Sequence, residues 1–282
     1  MPGTLFVVAT PIGNLEDVTA RALRILSTVS LIAAEDTRRT AHLLARHAIT
    51  TPTTSFHHHN EAAKARSILA RLQAGNDVAL VSDAGTPGVS DPGARLVRGA
   101  IDAGIRVEPV PGPSAVLAAL TASGFPAQTF TFLGFPPTRS KDRKTWFEQL
   151  RTAGRTVVLF ESPHRLRATL QEIKNQVGDC AVSIGREITK IHEEFVRGPI
   201  SGVLADLSSP IGEFTIVVEI GQITDLAPPK APGPRQIAAE FWLMTETGGL
   251  SRRRVIQELA RRLGLTPNEV YSAIEDAKKS GQ

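Results

Sequence analysis

Cysteine is nearly missing from this chain. Cys180 stands alone in 282 residues, so no internal disulfide framework exists and a reducing compartment is expected. Aromatic residues are scarce at 5%, although hydrophobic residues reach 41%, enough for an ordinary globular core. Long apolar runs are absent. The opening MPGTLFVVATP holds one short run and no basic leader, which predicts no transmembrane segment and a cytoplasmic protein. There is no low-complexity tract and no short-period repeat. Neither G-x-G-x-x-G nor G-x-x-x-x-G-K-[ST] occurs, so a standard dinucleotide turn and an ordinary ATP loop are not indicated. Charge of one sign is also modest. The net +4 is compatible with an anionic partner and does not specify one.

What the chain does have is LVSDAGTPGVSDPG, Leu80 to Gly93. A short apolar run, Val78 to Val81, enters a turn built on Gly85, Pro87, Gly88, Pro92 and Gly93. Glycine lets backbone amides come close to a ligand and proline fixes the turn's shape. Open α/β sheets bind small molecules on loops of this kind, at the carboxyl ends of strands. Three further loops follow predicted strands: Thr10 to Asn14, Glu35 to Arg38, and Pro111 to Ala115. In a parallel sheet all four meet at one edge.

Short β-branched runs alternate with helical patterns, which predicts an α/β fold with a mainly parallel sheet. Strands are expected at Leu5–Thr10, Leu31–Ala34, near Thr50–Phe56, and at Val78–Val81 and Val107–Val110. Helices are expected from Asp17 to Leu26 and, capped by Asn60, on to Gln73. A break falls near Ser123 to Pro126. Strands at Phe130–Leu133, Thr156–Phe160, Ala181–Ile184, Glu194–Arg197 and Phe214–Ile220 then suggest a mixed sheet, with helices at Lys141–Ala153 and Pro163–Gln176 between them. The expected domains are 1–122, 123–227, a stiff linker 228–234 containing PPKAPGP, and a helical tail 235–282. In the tail, Gln236–Thr247 ends at Gly248-Gly249, Ser251 caps a second helix, and Thr266-Pro267-Asn268-Glu269 reads as a capping box. Helix, glycine turn and helix make it helix-turn-helix-like. The tail carries eight Lys/Arg against six Asp/Glu, half of the net charge, with Arg252, Arg253 and Arg254 as a candidate phosphate-contacting arm.

Eight segments carry a resemblance. They are VATPIGNLED (Val8–Asp17), AEDTR (Ala34–Arg38), HHHNE (His57–Glu61), SDAGTPGVSDPG (Ser82–Gly93), PVPGPSA (Pro109–Ala115), FLGFPP (Phe132–Pro137), ESPHR (Glu161–Arg165) and REITKIHEE (Arg186–Glu194). In this order the chain resembles the tetrapyrrole methylase-like S-adenosylmethionine enzymes, and among them the small-subunit ribosomal RNA cytidine 2′-O-methyltransferases. It departs from that pattern at His58, where an acidic residue is implied. The resemblance implies a two-lobed tetrapyrrole methylase-like fold with the cofactor in the cleft between lobes, and a homodimer. It implies methyl transfer from S-adenosylmethionine to a cytidine ribose in the decoding region of 16S rRNA, on the 30S subunit, with no metal or redox cofactor.

That chemistry assigns expected roles. An activated methyl donor needs positioning in line with its nucleophile. Amides around Gly85, Thr86 and Pro87 suit the cofactor's carboxylate, and Asp83 with nearby carbonyls suits its ammonium. Pro11, Gly13, Ala84 and Ser114 complete this wall, and Phe214-Thr215 is the candidate adenine slot. A ribose hydroxyl needs a base. Asp36, Glu161 and Glu193 are candidates, with Arg38, Arg165 and Lys190 as charge partners or phosphate clamps. Lys190 itself qualifies if burial lowers its pKa. Arg139, Lys141, Arg143 and Lys144 form a basic loop read as an rRNA contact. His57, His58 and His59 read as a loop or lobe-interface feature, since adjacent side chains point apart. Two rival readings stay open: a tetrapyrrole methyltransferase acting on a cobalamin or sirohaem precursor, and a non-catalytic nucleic-acid-binding protein.

Overall fold

Strands that are apolar at successive positions need cover on both faces, and the first sheet has it. In the computed structural model, which describes residues 1–207, 211–221, 234–247, 252–263 and 266–279, five parallel strands pair in the order β3-β2-β4-β1-β5. They are β1 (Thr4–Val8), β2 (Leu31–Ala34), β3 (Thr53–Ser55), β4 (Val78–Val81) and β5 (Arg106–Val110). Every residue of β2 and β4 is buried. Alternation sorts them: Ile32, Ala79 and Val81 face one side with Ile25, Leu26 and Leu43, while Leu31, Val78 and Leu80 face the other with Ile68, Leu72 and Leu96. The first side is covered by α1 (Ala20–Thr28) and α2 (Thr37–Arg46), the second by α3 (Glu61–Gln73) and α4 (Ala94–Asp102).

The second sheet is mixed, in the order β6-β7-β10-β8-β9. Its strands are β6 (Phe130–Phe132), β7 (Thr156–Glu161), β8 (Ala181–Arg186), β9 (Glu194–Pro199) and β10 (Phe214–Glu219), with only β6 and β7 parallel. One face packs on α6 (Ser140–Thr152), α7 (Leu166–Val177) and α8 (Ile200–Asp206). The other face takes α5 (Ala115–Ser123), whose Val116, Ala119 and Leu120 pack on Val158, Ile188 and Val217. Thus a helix that follows directly from the first sheet finishes the core of the second.

Two local expectations are corrected. The first helix begins at Ala20, not Asp17, because the Thr19 side chain accepts the Ala22 amide; Leu15–Asp17 is a separate 3-10 turn capped by Asn14. Asn60 precedes α3 without capping it by its side chain. Its Oδ1 accepts the His57 amide at 2.9 Å instead.

The chain divides into two compact units, Met1–Gln222 and Ile223–Gln282. The second holds α9 (Pro234–Thr247), α10 (Arg252–Leu263) and α11 (Pro267–Lys279) around Ile237, Phe241, Val255, Leu259, Val270 and Ile274. The capping box forms: Glu269 accepts the Thr266 amide at 2.6 Å, and Thr266 Oγ1 accepts the Glu269 amide at 3.3 Å. Residues 228–233, Gly248-Gly249, Ser251 and Gly264 lie outside the described residues.

Gly93 opens α4 at φ +139°, and a Cβ there would lie 2.9 Å from Leu80 Cδ2. Gly93→Ala is therefore expected to cost about 2 kcal/mol, roughly 4–8 °C of melting temperature in a unit of this size. An unchanged transition by scanning calorimetry contradicts this.

Candidate functional site

The parallel pairing puts the loops after β1, β2, β4 and β5 at one edge. They are bonded together there. Thr10 and Gly85 form an antiparallel bridge through two 2.9 Å backbone hydrogen bonds, and Thr10 Oγ1 donates to the Ser82 carbonyl. Gly85 holds φ +75°, a region that L side chains rarely enter, so glycine is needed where the loop turns back on Thr10. Asp83 Oδ1 accepts the Asp36 amide at 2.8 Å, tying the second loop to the third. Its other oxygen lies 3.7 Å from Arg39 Nε. Ser114 caps α5 by accepting the Leu117 amide.

Opposite this edge stand the end of β7, the start of β10 and the turn after β8, brought level by the register that pairs Phe214 with both Glu161 and Arg186. Between the two edges lies a cavity of about 440 Å³. One part of its wall is anionic, with Glu35, Asp83, Asp91 and Glu213. Another is apolar, with Ile12, Val116, Phe135, Phe160, Ile188 and Phe214. Phe160 meets Phe132 edge-on at 5.0 Å and Phe135 at 5.3 Å, which fixes this wall.

The cavity gathers Asp83, Ala84, Gly85, Thr86, Ser114, Phe214, Thr215 and Glu161 from the residues expected to act. Pro11 and Pro87 are buried in their turns and do not line it. Gly13 and Lys190 line a second, wider hollow of about 1040 Å³ with Asn14, Thr189 and His192.

The candidate bases differ in what already holds them. Asp36 caps α2 and accepts the side chain and amide of Arg38, which hold its carboxyl well below the usual carboxylate range and leave it a weak base. Glu161 has no exposed side-chain surface. It pairs with Arg165 at 2.8 Å and accepts Thr169 Oγ1 at 2.6 Å and the Ser162 amide at 2.7 Å. Glu193 is exposed and accepts the Thr189 amide. For Lys190, burial pulls the pKa down, but hydrogen bonds to Glu213 and Glu187, each 2.9 Å, outweigh it. The net shift is upward, so the condition set for Lys190 as a base is not met.

The basic residues divide in the same way. Arg139, Lys141 and Lys144 are exposed at the start of α6. Arg143 instead turns inward, 2.7 Å from Glu172, bonded to Pro137 O and Thr169 Oγ1, and stacked over Phe147. Arg165 likewise spans from Glu161 to the Pro136 carbonyl. Arg38 pairs with Asp36 yet keeps 88% of its side chain exposed. In the second unit Arg252, Arg253 and Arg254 are exposed on α10, with Arg252 over the Trp242 ring.

Sequence reasoning missed Glu35, Arg39, Asp91, Glu213, Phe135 and Phe160. Glu35, Asp91 and Phe135 lie inside the quoted segments without a role of their own there, and Phe160 ends an expected strand. Burial pushes the Asp91 carboxyl up to about 6; the negative Glu35 and Asp83 add to this, while the Ser82 hydroxyl and His58 oppose it. His57 is held by Asn60 at its amide and at Nε2, and its ring meets His59 edge-on at 5.9 Å. Among the described residues no helix is long and apolar enough to cross a membrane.

The sequence pattern of the tetrapyrrole (corrin/porphyrin) methylases matches residues 4–204. A Synechocystis protein named ribosomal RNA small subunit methyltransferase I is 41% identical, covering 99% of this chain and 100% of its own length. A Thermotoga maritima protein of the same name is 48% identical over 77% of this chain and 98% of its own. Among solved structures, Thermus thermophilus uroporphyrin-III C-methyltransferase with S-adenosyl homocysteine superposes at a TM-score of 0.55 and 20% identity, over 77% of this chain and 98% of that one. Diphthine synthase superposes at 0.60 and 13%, over 77% and 90%. At such identities the two structures share the fold alone with this chain.

Proposed function

The chain belongs to the ribosomal RNA small subunit methyltransferase I family, within the tetrapyrrole methylases, and on that premise we propose that it methylates the ribose 2′-hydroxyl of a cytidine in the decoding region of 16S rRNA, with S-adenosylmethionine as donor. The observation that carries this reading is the cavity at the meeting edges of the two sheets. Its volume lies within the roughly 300–1,000 Å³ of small-molecule sites. Its donor set fits the cofactor: carboxylates for an ammonium and a sulfonium, and an apolar wall for adenine.

When bound, S-adenosylmethionine supplies a methyl group already activated by positive sulfur. The chain's own residues then bind and orient. Asp83 takes the ammonium. The amides of the Gly85–Gly88 turn and the Ser114 hydroxyl take the carboxylate. Phe214 and Thr215 hold the adenine edge, with Pro11 and Gly13 shaping the loop beneath. Glu161 positions the β7 end through Arg165. Exposed Arg139, Lys141 and Lys144, together with Arg38, contact RNA phosphates, as do Arg252 to Arg254 of the second unit. The partner is the 30S subunit in the cytoplasm, and the working form is a homodimer, as the resemblance implies.

The test is transfer of labelled methyl groups to 30S subunits that lack the modification, followed by nuclease digestion and mass spectrometry. The expected product is one cytidine carrying a methyl group on ribose. Transfer to a porphyrinoid and none to RNA supports the tetrapyrrole reading instead. Absence of cofactor binding by calorimetry supports a non-catalytic RNA binder.

A further inference from the structure

We propose that Asp91 is the general base of this reaction, taking the proton from the ribose 2′-hydroxyl as its oxygen is methylated; the assignment rests on the RNA-methyltransferase reading above.

Four acidic residues at or beside the cleft are already answered by a cation. Asp36 pairs with Arg38, Asp83 with Arg39, Glu161 with Arg165, and Glu213 with Lys190. Asp91 lines the same cavity, is half-buried, and has no ion pair among the described residues. A base must be ionised and free to accept a proton, and a carboxylate locked to a guanidinium is poor at the second. Glu35, the other lining carboxylate with no ion pair among the described residues, accepts the Asp83 amide at 3.4 Å and so serves the tie between the second and third loops, which leaves Asp91 as the candidate.

The backbone also directs it. Ser90, which precedes it and lines the cavity, sits at φ +66°, an unusual place for a residue with a side chain. Pro92 follows with its φ fixed, and the Gly93 amide is tied to Glu61 Oε1 at 3.2 Å. Strain of this kind persists where the surroundings overdetermine it, and it clusters at active sites. Here it fixes the backbone on either side of Asp91.

The groups facing Asp91 are Glu35 after β2, Asp83 and the Ser82 hydroxyl after β4, and His58 ahead of α3. Burial dominates and the two carboxylates reinforce it, which places the carboxyl near 6. Such a group is ionised at neutral pH and more basic than an ordinary carboxylate. In the step itself, a lone pair on the ribose oxygen forms the new O–CH₃ bond. The CH₃–S bond breaks with its electron pair left on sulfur. The hydroxyl proton passes to Asp91 and from there to water.

The test is single-turnover methyl transfer to 30S subunits across pH 5 to 9, alongside calorimetric cofactor affinity and carboxyl-carbon NMR of the cofactor-free protein. Asp91→Asn is expected to lower the rate roughly 10²–10⁴-fold, far more than it lowers cofactor affinity, and to abolish the acid limb expected near pH 6 in the wild type. Asp91→Glu, which keeps the carboxyl but moves it, is expected to recover part of the rate. In the NMR titration the Asp91 carbon is expected to move near pH 6. A wild-type rate in Asp91→Asn, an acid limb that survives the substitution, or an Asp91 titration at an ordinary carboxylate pH overturns the proposal. A wild type that methylates no ribosomal RNA overturns the functional reading as well, so the two failures are told apart.

Discussion

Asp83→Asn is expected to weaken S-adenosylmethionine binding roughly 30–150-fold, the equivalent of losing one charge-assisted hydrogen bond of about 2–3 kcal/mol. Asparagine keeps an oxygen for the Asp36 amide, now 2.8 Å from Asp83 Oδ1, so the tie between the second and third loops survives. What disappears is the negative charge. Arg39, 3.7 Å away, then stands uncompensated at the cleft and repels a cationic ligand, which adds to the loss. Calorimetry with two ligands separates the parts. S-adenosylhomocysteine keeps the ammonium and lacks the sulfonium charge. If Asp83 meets the ammonium, both ligands lose affinity equally; if it meets the sulfonium, only the methyl donor suffers. Unchanged affinity for both removes Asp83 from the cofactor site.

Arg165→Ala is expected to destabilise the first unit by about 3 kcal/mol, near the lower end for breaking a buried ion pair because Arg165 keeps 30% of its side chain exposed. For a unit of this size that is roughly 6–12 °C of melting temperature. Glu161 would be left without surface exposure and with only Ser162 and Thr169 to answer its charge. Adding Glu161→Gln to Arg165→Ala removes that charge and is expected to restore most of the loss, a coupling that a double-mutant cycle measures. Additive losses in the cycle would refute the pairing as the cause. The same pairing is the support for our reading of Glu161, which lines the cleft, as a residue that holds the β7 end.

Much of this fold was legible because its strands announce themselves. Leu31–Ala34 and Val78–Val81 are unbroken apolar runs of the length a doubly covered parallel strand requires, and both appear with those bounds. Once they are parallel, the convergence of their loops follows. α2 was not foreseen. TRRTAHLLAR places its buried residues at Thr40, Leu43 and Leu44, so the apolar stripe starts a full turn late and the first turn reads as a charged loop. α8 has seven residues, too few for a period to show. In α5, Val116 to Leu120 are apolar without interruption and name no facing side, so its seat on the second sheet could not be read.

The cleft was legible by its glycines and prolines rather than by its charges. Asp83 stands out beside Gly85, whereas Asp91 looks like one more turn residue until burial and the nearness of Glu35 set it apart. Lys190 shows the opposite difficulty. Its Glu187 partner is three residues away, but Glu213 arrives from the turn before β10, and that distant contact helps to reverse the expected shift.

The seat of α5 also bears on synthesis. The five strands of the first sheet are complete by Val110, and α5 follows at once, yet its partners Val158, Ile188 and Val217 emerge from the ribosome only later. Until β10 is made, Val116, Ala119 and Leu120 have no second sheet to cover them, and Ser114 at the head of α5 has no opposite wall. The nascent enzyme therefore cannot finish this cleft domain by domain. Cleft assembly must wait for nearly the whole first unit, and a fragment ending before Phe214 would hold the first sheet and only one wall of the cleft.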